Sequence, residues 1–130
     1  MTDTAIQELQ LFPVVSLPHL DLLHYLLSEA NGKHIAHCLD LDLVVTADNR
    51  KNAAQKLDRI VKATIELALA TQRFENLATR APQNFWNEFA DGKAIELDPK
   101  TLRIKIPESV KIVPVPDSTL RILARAAHAS

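Results

Sequence analysis

Residues 21–71 read DLLHYLLSEANGKHIAHCLDLDLVVTADNRKNAAQKLDRIVKATIELALAT, and their pattern decides the fold. Asn31-Gly32 stands between two apolar stretches. A two-residue hairpin turn needs positive φ at both central positions, which asparagine and glycine adopt at least cost. Leu22 to Leu27 is apolar at nearly every position, a pattern that a helix shares. The turn, and the extended pattern that resumes at Ile35, Ala36 and Cys38, favour a strand instead. Leu43 to Thr46 is rich in β-branched residues and predicts a third strand. Asp48-Asn49 then reads as a helix start, either side chain being able to accept from a first-turn N–H. From Ala53 the apolar positions Leu57, Ile60, Val61, Thr64, Leu67 and Ala68 follow the spacing of a helix lying on a sheet. Ile65 and Leu69 sit beside that stripe. They widen the apolar surface beyond one sheet face and predict a second contact, with the C-terminal segment or another subunit.

Outward from this unit the signals weaken. Residues 1–12 can form a short helical turn carrying Ile6, Leu9 and Phe12, which Pro13 and Pro18 then break. Val14, Val15 and Leu17 read as an extended lead into the first strand. After Thr71 the chain becomes polar, and Pro82 marks a break. Asn84 to Phe89 predicts a short helix that holds Phe85, Trp86 and Phe89, closed by Asp91-Gly92. Asp98-Pro99-Lys100-Thr101 reads as a turn between extended segments at Ile95–Leu97 and Leu102–Ile106. In the second of these, Leu102, Ile104 and Ile106 alternate with Arg103 and Lys105. Val113, Val115 and prolines 107, 114 and 116 predict an extended edge, since proline cannot donate within a central ladder. A last short helix is expected over 118–127, with Leu120, Leu123 and Ala127 on one face. The expected fold class is α+β: a small antiparallel β-sheet, three strands before the long helix and at least one after. One domain over 1–130 is expected, with a β-β-β-α unit at 20–72 and a C-terminal extension at 73–130.

Composition bounds the function. The 130 residues are 47% hydrophobic and 24% charged, with a net charge of −1. That balance gives no general attraction for nucleic acid or anionic membrane. Cys38 is the single cysteine, so an intramolecular disulfide and a multi-cysteine zinc site within one chain are excluded. The first ten residues lack a signal-peptide pattern. The apolar run at 17–27 is broken by Pro18, His19, Asp21 and His24 and is too short to span a bilayer. A soluble cytoplasmic protein is the expectation.

Gly32 to Leu41, continuing through Val44-Val45-Thr46-Ala47-Asp48 into Ala53 and Leu57, resembles the HicB family of antitoxins. Ala36, Cys38 and Leu41 match that family's strand and loop, and Asp48 and Ala53 match the entry to its helix. The resemblance covers residues 20–72. Leu39 replaces the family's loop proline, Ala47 its glycine and Asn49 its capping threonine. Arg50-Lys51-Asn52 stands where acidic residues are usual, which reverses the local charge seen by a partner. The resemblance implies a degraded ribonuclease-H-like domain, dimeric or tetrameric, that binds and blocks a small basic toxin ribonuclease without catalysis or cofactor. Some members add a DNA-binding module at the C-terminus. Thr101 to Pro107 is similar to its ribbon, but 108–130 lacks room for the two helices that must follow, so DNA binding is not expected.

The candidate chemistry is sparse. Asp40 and Asp42 flank Leu41 and could hold magnesium in such a fold, but no motif fixes the further carboxylates a metal site needs, and both read as solvated loop residues. His34 and His37 lie at odd separation in a strand and point to opposite faces, so they cannot close on one metal ion. Cys38 reads as a small buried hydrophobe. Arg50, Lys51, Lys56, Arg59 and Lys62 give the helix a basic side, interrupted by Asp58 and Glu66 at ion-pair spacing from Lys62. Catalytic, metal and cofactor-binding residues are therefore expected to be none. Ile65, Leu69, Phe85, Trp86 and Phe89 are the expected partner-binding residues. The alternatives are a self-associating module of the same fold without a toxin partner, and a nuclease that keeps weak metal-dependent activity.

Overall fold

In a computed structural model of the chain, residues 14–16, 22–97, 101–107, 111–113 and 119–127 are described. Among the described residues, eight strands and two α-helices follow in the order β1 (Val14–Ser16), β2 (Leu22–Ala30), β3 (Lys33–Cys38), β4 (Leu43–Ala47), α1 (Arg50–Thr71), α2 (Gln83–Asp91), β5 (Lys93–Ile95), β6 (Thr101–Arg103), β7 (Lys111–Val113) and β8 (Thr119–Ala126). A 3-10 turn, Glu75–Leu77, lies between the helices. The hairpin forms as its turn requires, with φ of 54° at Asn31 and 76° at Gly32. Asn49 is the residue that starts α1, its side chain accepting from the Asn52 N–H at 2.8 Å.

The six-stranded sheet runs β4-β3-β2-β8-β5, with β6 also on β8. Its hand of pairing corrects the antiparallel expectation. β8 lies parallel to β2, from Leu22 opposite Arg121 to Leu27 opposite Ala126, so the sheet is mixed. β5 and β6 pair with opposite ends of β8 and form an interrupted outer rim. The short terminal helix expected over 118–127 is therefore a strand. Leu120, Ile122 and Ala124 are buried at every second position, the period of a strand. Leu120 and Leu123 also satisfy a helical spacing, and pairing on both sides of β8 decides between the two patterns.

Other expectations shift. Val14 and Val15 belong to β1, which pairs in parallel with β7 rather than leading into β2. The strand expected at 95–97 is Lys93–Ile95, and the one expected at 102–106 is Thr101–Arg103. Even so, Leu102 and Ile104 are buried in the alternation foreseen for them. The helical turn expected at 1–12, most of the turn expected at 98–101 and the prolines at 114 and 116 fall outside the described residues.

α1 lies over β3 and β4 and touches β6 at its flank. Its buried residues are Ala53, Ala54, Leu57, Val61, Ile65, Ala68 and Leu69. The inward stripe is thus rotated from the expected one: Ile65 and Leu69 face the sheet, while Ile60 and Leu67 reach solvent. Leu23, Tyr25, Leu27, Ala36 and Cys38 from the early strands join Leu102, Ile104, Leu120 and Ile122 in one core beneath α1. Residues from the C-terminal extension therefore share that core. α2 packs on the other sheet face, where Leu26, Leu39, Ala81 and Phe89 form a second, smaller core.

Gly92 ends α2 as expected, but its φ of −75° is ordinary. A Cβ there would come within 2.7 Å of the Ala126 carbonyl oxygen. Glycine is required because β8 passes so close.

Candidate functional site

The polar groups that the fold brings together lie mostly on the α2 side of the sheet. Asp40, 2% exposed, accepts from the His24 backbone N–H at 2.6 Å and bonds the His24 ring Nδ1 at 3.0 Å. It is not a solvated loop residue. Next to it, His37 Nε2 meets the Asp42 carboxylate at 2.7 Å, with Asp42 at a φ of 52°. The His24 ring stands edge-on to Trp86 and Phe89, with centroids 5.1 and 5.3 Å away, and Phe85 approaches His37 at 4.7 Å. Two backbone bonds lock the loop between β3 and β4: the Leu39 N–H donates to the His24 carbonyl, and the Ala81 N–H to the Leu39 carbonyl. Arg125 holds the far end of α2 through Phe89 O and Ala90 O at 3.2 and 3.1 Å.

A histidine paired with a carboxylate is the arrangement of a general base. Here the His37 side chain is only 6% exposed, and the His24 ring is wedged between two aromatic side chains. Both pairs spend their hydrogen bonds on tying the β3–β4 loop to the sheet, through His24 on β2 and His37 on β3. His34 lies elsewhere, its Nε2 3.6 Å from the Glu29 carboxylate, apart from His37 as the strand period predicts. Among the described residues, no three His, Cys, Asp or Glu side chains gather to hold a metal ion.

Under α1 a second polar contact crosses the core. The Tyr25 hydroxyl donates to Asp58 at 2.8 Å. Burial pushes the tyrosine far above its ordinary range, with the Asp58 charge adding to the effect. Burial also raises the Asp58 carboxyl above its ordinary 3.8, against the lowering effect of the tyrosine bond. A raised acid favours its neutral form in the folded state, so this contribution to stability is full below about 3.8 and lost as pH climbs through the raised value. Asp58→Asn removes that loss. The gap in thermal midpoint between Asp58→Asn and the parent is expected to widen in favour of the variant from pH 3 to pH 7; a gap independent of pH would contradict the assignment.

Cys38 is fully buried, and burial first, then the Asp40 charge, pushes its thiol up to about 12. A thiol so held is a poor nucleophile. It is expected to resist a disulfide reagent in the native protein and to react at the rate of unfolding. Rapid labelling without denaturant would show that the face of β3 under α1 opens locally.

Ile65 and Leu69 are buried in the main core, so neither is an accessible partner contact on this chain. Phe89 is buried at 6% exposure. Phe85 and Trp86 are half-buried, and the Arg80 guanidinium lies 4.4 Å over the Trp86 ring. The Trp86 Nε1–H is satisfied internally by Ala81 O at 3.1 Å. On the basic side of α1, the Lys62–Glu66 pair forms at 3.4 Å. Asp58 turns instead to Tyr25, and Lys62 Nζ also donates to Arg103 O.

Among the described residues, two hollows border α1. One, of about 690 Å³, is lined by Thr64, Leu67, Ala68, Thr71 and Arg73. The other, about 410 Å³, lies between Arg50, Lys51, Gln55 and Asp58 and residues Glu96 and Leu97. The sequence missed the His24–Asp40 and Tyr25–Asp58 contacts because their partners are 16 and 33 positions apart, beyond any local pattern. Among the described residues, no helix is long and apolar enough to cross a membrane.

Compared with protein-family models, with curated proteins and with solved structures, the chain matches none.

Proposed function

We propose that this protein is a HicB-like, non-catalytic binding protein that acts in the manner of an antitoxin, by occluding a partner protein such as a small toxin ribonuclease. The observation that carries the reading is the element order. The strands β2, β3 and β4 and the helix α1 form the β-β-β-α unit expected at 20–72, and β8 returns beside β2 after α2 and β5 to β7. The carboxylates of the degraded ribonuclease-H-like reading add support. Asp40 is engaged by His24 and Asp42 by His37.

The outer edges of Phe85 and Trp86 supply the aromatic part of the partner surface, since aromatic anchors carry much of a typical interface's energy. Affinity capture of the tagged chain from its native host, with mass spectrometry of the eluate, tests the reading. One stoichiometric small protein that is lost with Trp86→Ala supports it. Recovery of the chain alone overturns it and favours a self-associating module without a toxin. The open rim of the sheet is the observation that speaks for that second reading.

A further inference from the structure

Among the described residues, β4 is the terminal strand of the six-stranded sheet and pairs only with β3. Its residues, Leu43 to Ala47, are Leu-Val-Val-Thr-Ala, without charge, proline or glycine. Edge strands are ordinarily blunted by such residues, by a bulge or by a covering element, because an open row of N–H and C=O groups templates another strand. The opposite rim is managed differently, being broken into β5 and β6.

Among the described residues the exposed large hydrophobic side chains are Val44 at 54%, Ile60 at 36% and Leu67 at 64%. Val44 stands opposite His37 on the α2 face of the β4 edge, and Ile60 and Leu67 lie on α1 over the other face. Lys56 Nζ donates to the Thr46 carbonyl at 3.1 Å, which fixes that row of α1 beside β4. Ile60 lies one turn further along the row, and Leu67 continues it. The other flank of α1 faces β6, through Lys62 to Arg103 O and the Lys105 N–H to Glu66.

We propose that β4 pairs antiparallel with β4 of a second copy of this chain, about a two-fold axis at Val45, with the Ile60 flanks of both α1 helices closing over the junction. The Thr46 carbonyl turns toward a lysine rather than toward β3. Backbone polar groups alternate along a strand, so Val44 and Thr46 present theirs outward. In a register centred on Val45, Val44 meets Thr46 of the second copy, and each such pair exchanges two hydrogen bonds. Both residues are β-branched, a favourable cross-strand pairing.

Charge permits the approach. Asp42 and Asp48 flank the strand and come opposite one another in this register, but each is already bonded within its own chain, to His37 and Lys33. A second copy suits the edge better than an unrelated strand, because the neutral sequence is complementary to itself and each copy brings its own apolar helix flank. Five residues of strand fall short of the roughly 800 Å² per partner of a typical stable interface, so the helix flank has to contribute. The interface does not depend on the antitoxin reading, and its test uses the purified chain alone.

Sedimentation equilibrium of the full chain over a micromolar concentration series is expected to show twice the monomer mass at the upper end. Val44→Lys and Ile60→Glu are each expected to weaken association by about tenfold or more, with circular dichroism of the dilute protein unchanged. Hydrogen exchange supplies a second reading. The Val44 and Thr46 amides should gain protection with concentration, while Leu43 and Val45, bonded to β3, stay protected throughout. A parent chain that remains monomeric overturns the proposal. So does a dimer that survives Val44→Lys while the Val44 and Thr46 amides exchange freely.

Discussion

Ile65→Ala is expected to lower the unfolding free energy by about 2–5 kcal/mol, the range for truncating a large aliphatic side chain in a packed core. The loss should be present in the purified chain with no partner added. Ile65 is fully buried, in the cluster that also holds Leu57, Val61 and Leu120. Its removal forfeits both the transfer of its methyl groups from water and the contacts they made. Set against a domain stability of roughly 5–15 kcal/mol, that is a large share. Leu67→Ala, two positions along the helix and 64% exposed, should by contrast stay within about 0.5 kcal/mol of the parent. Urea unfolding of the two variants side by side decides the matter. A small loss at Ile65 would restore it to the accessible surface and with it the wide-stripe reading of α1.

Asp40→Ala is expected to cost about 1–3 kcal/mol, because it removes a buried acceptor and leaves its hydrogen-bond partners unsatisfied. The backbone N–H and ring Nδ1 of His24 both lose their acceptor. Asp40→Asn keeps an oxygen for the backbone N–H and should lose less. The effect should also travel to α2, since the His24 ring packs 5.1 Å from Trp86 and 5.3 Å from Phe89. Trp86 is the chain's single tryptophan, so its fluorescence should shift toward that of exposed indole under native conditions in Asp40→Ala. Unchanged emission together with unchanged stability would mean that the carboxylate does not hold the loop.

The local half of the fold was legible in the sequence because its signals are local. Asn31-Gly32 demands a turn whatever surrounds it, and the spacing from Ala53 onward demands a helix. The phase of that helix was less legible. A run such as Ile60, Val61, Thr64, Ile65, Leu67, Ala68 and Leu69 offers apolar residues over more than half a turn. Only the position of the sheet tells which of them go inward. β8 was illegible for a different reason. Leu120 and Leu123 fit a helix, Leu120, Ile122 and Ala124 fit a strand, and the deciding contacts lie almost a hundred positions earlier, as in Leu23 opposite Ile122.

The candidate site shows the same division. Cys38 was placed correctly as a small buried hydrophobe, from its residue type and its place in the strand. Asp40 was not, because its neighbours in sequence, Leu39, Leu41 and Asp42, look like an ordinary loop. What engages it is His24 on β2, sixteen positions earlier in the chain. The odd separation of His34 and His37 kept them apart, as the pleat requires. Their carboxylate partners were out of reach of sequence reasoning, since a cross-strand or loop partner is chosen by register.

The position of β8 has a consequence for the making of the protein. β8 is the last strand of the sheet to be synthesised, yet it fills a place between β2 and the β5–β6 rim. While residues before 119 are emerging from the ribosome, β2, β3, β4 and α1 can assemble, but one rim of β2 has no neighbour. Leu23, Tyr25 and Leu27 then lack the cover that Leu120, Ile122 and Ala124 later give them. The nascent chain must wait in that condition, with a bare hydrophobic strand rim of the kind that chaperones recognise. A stop codon or frameshift anywhere before β8 would make the condition permanent.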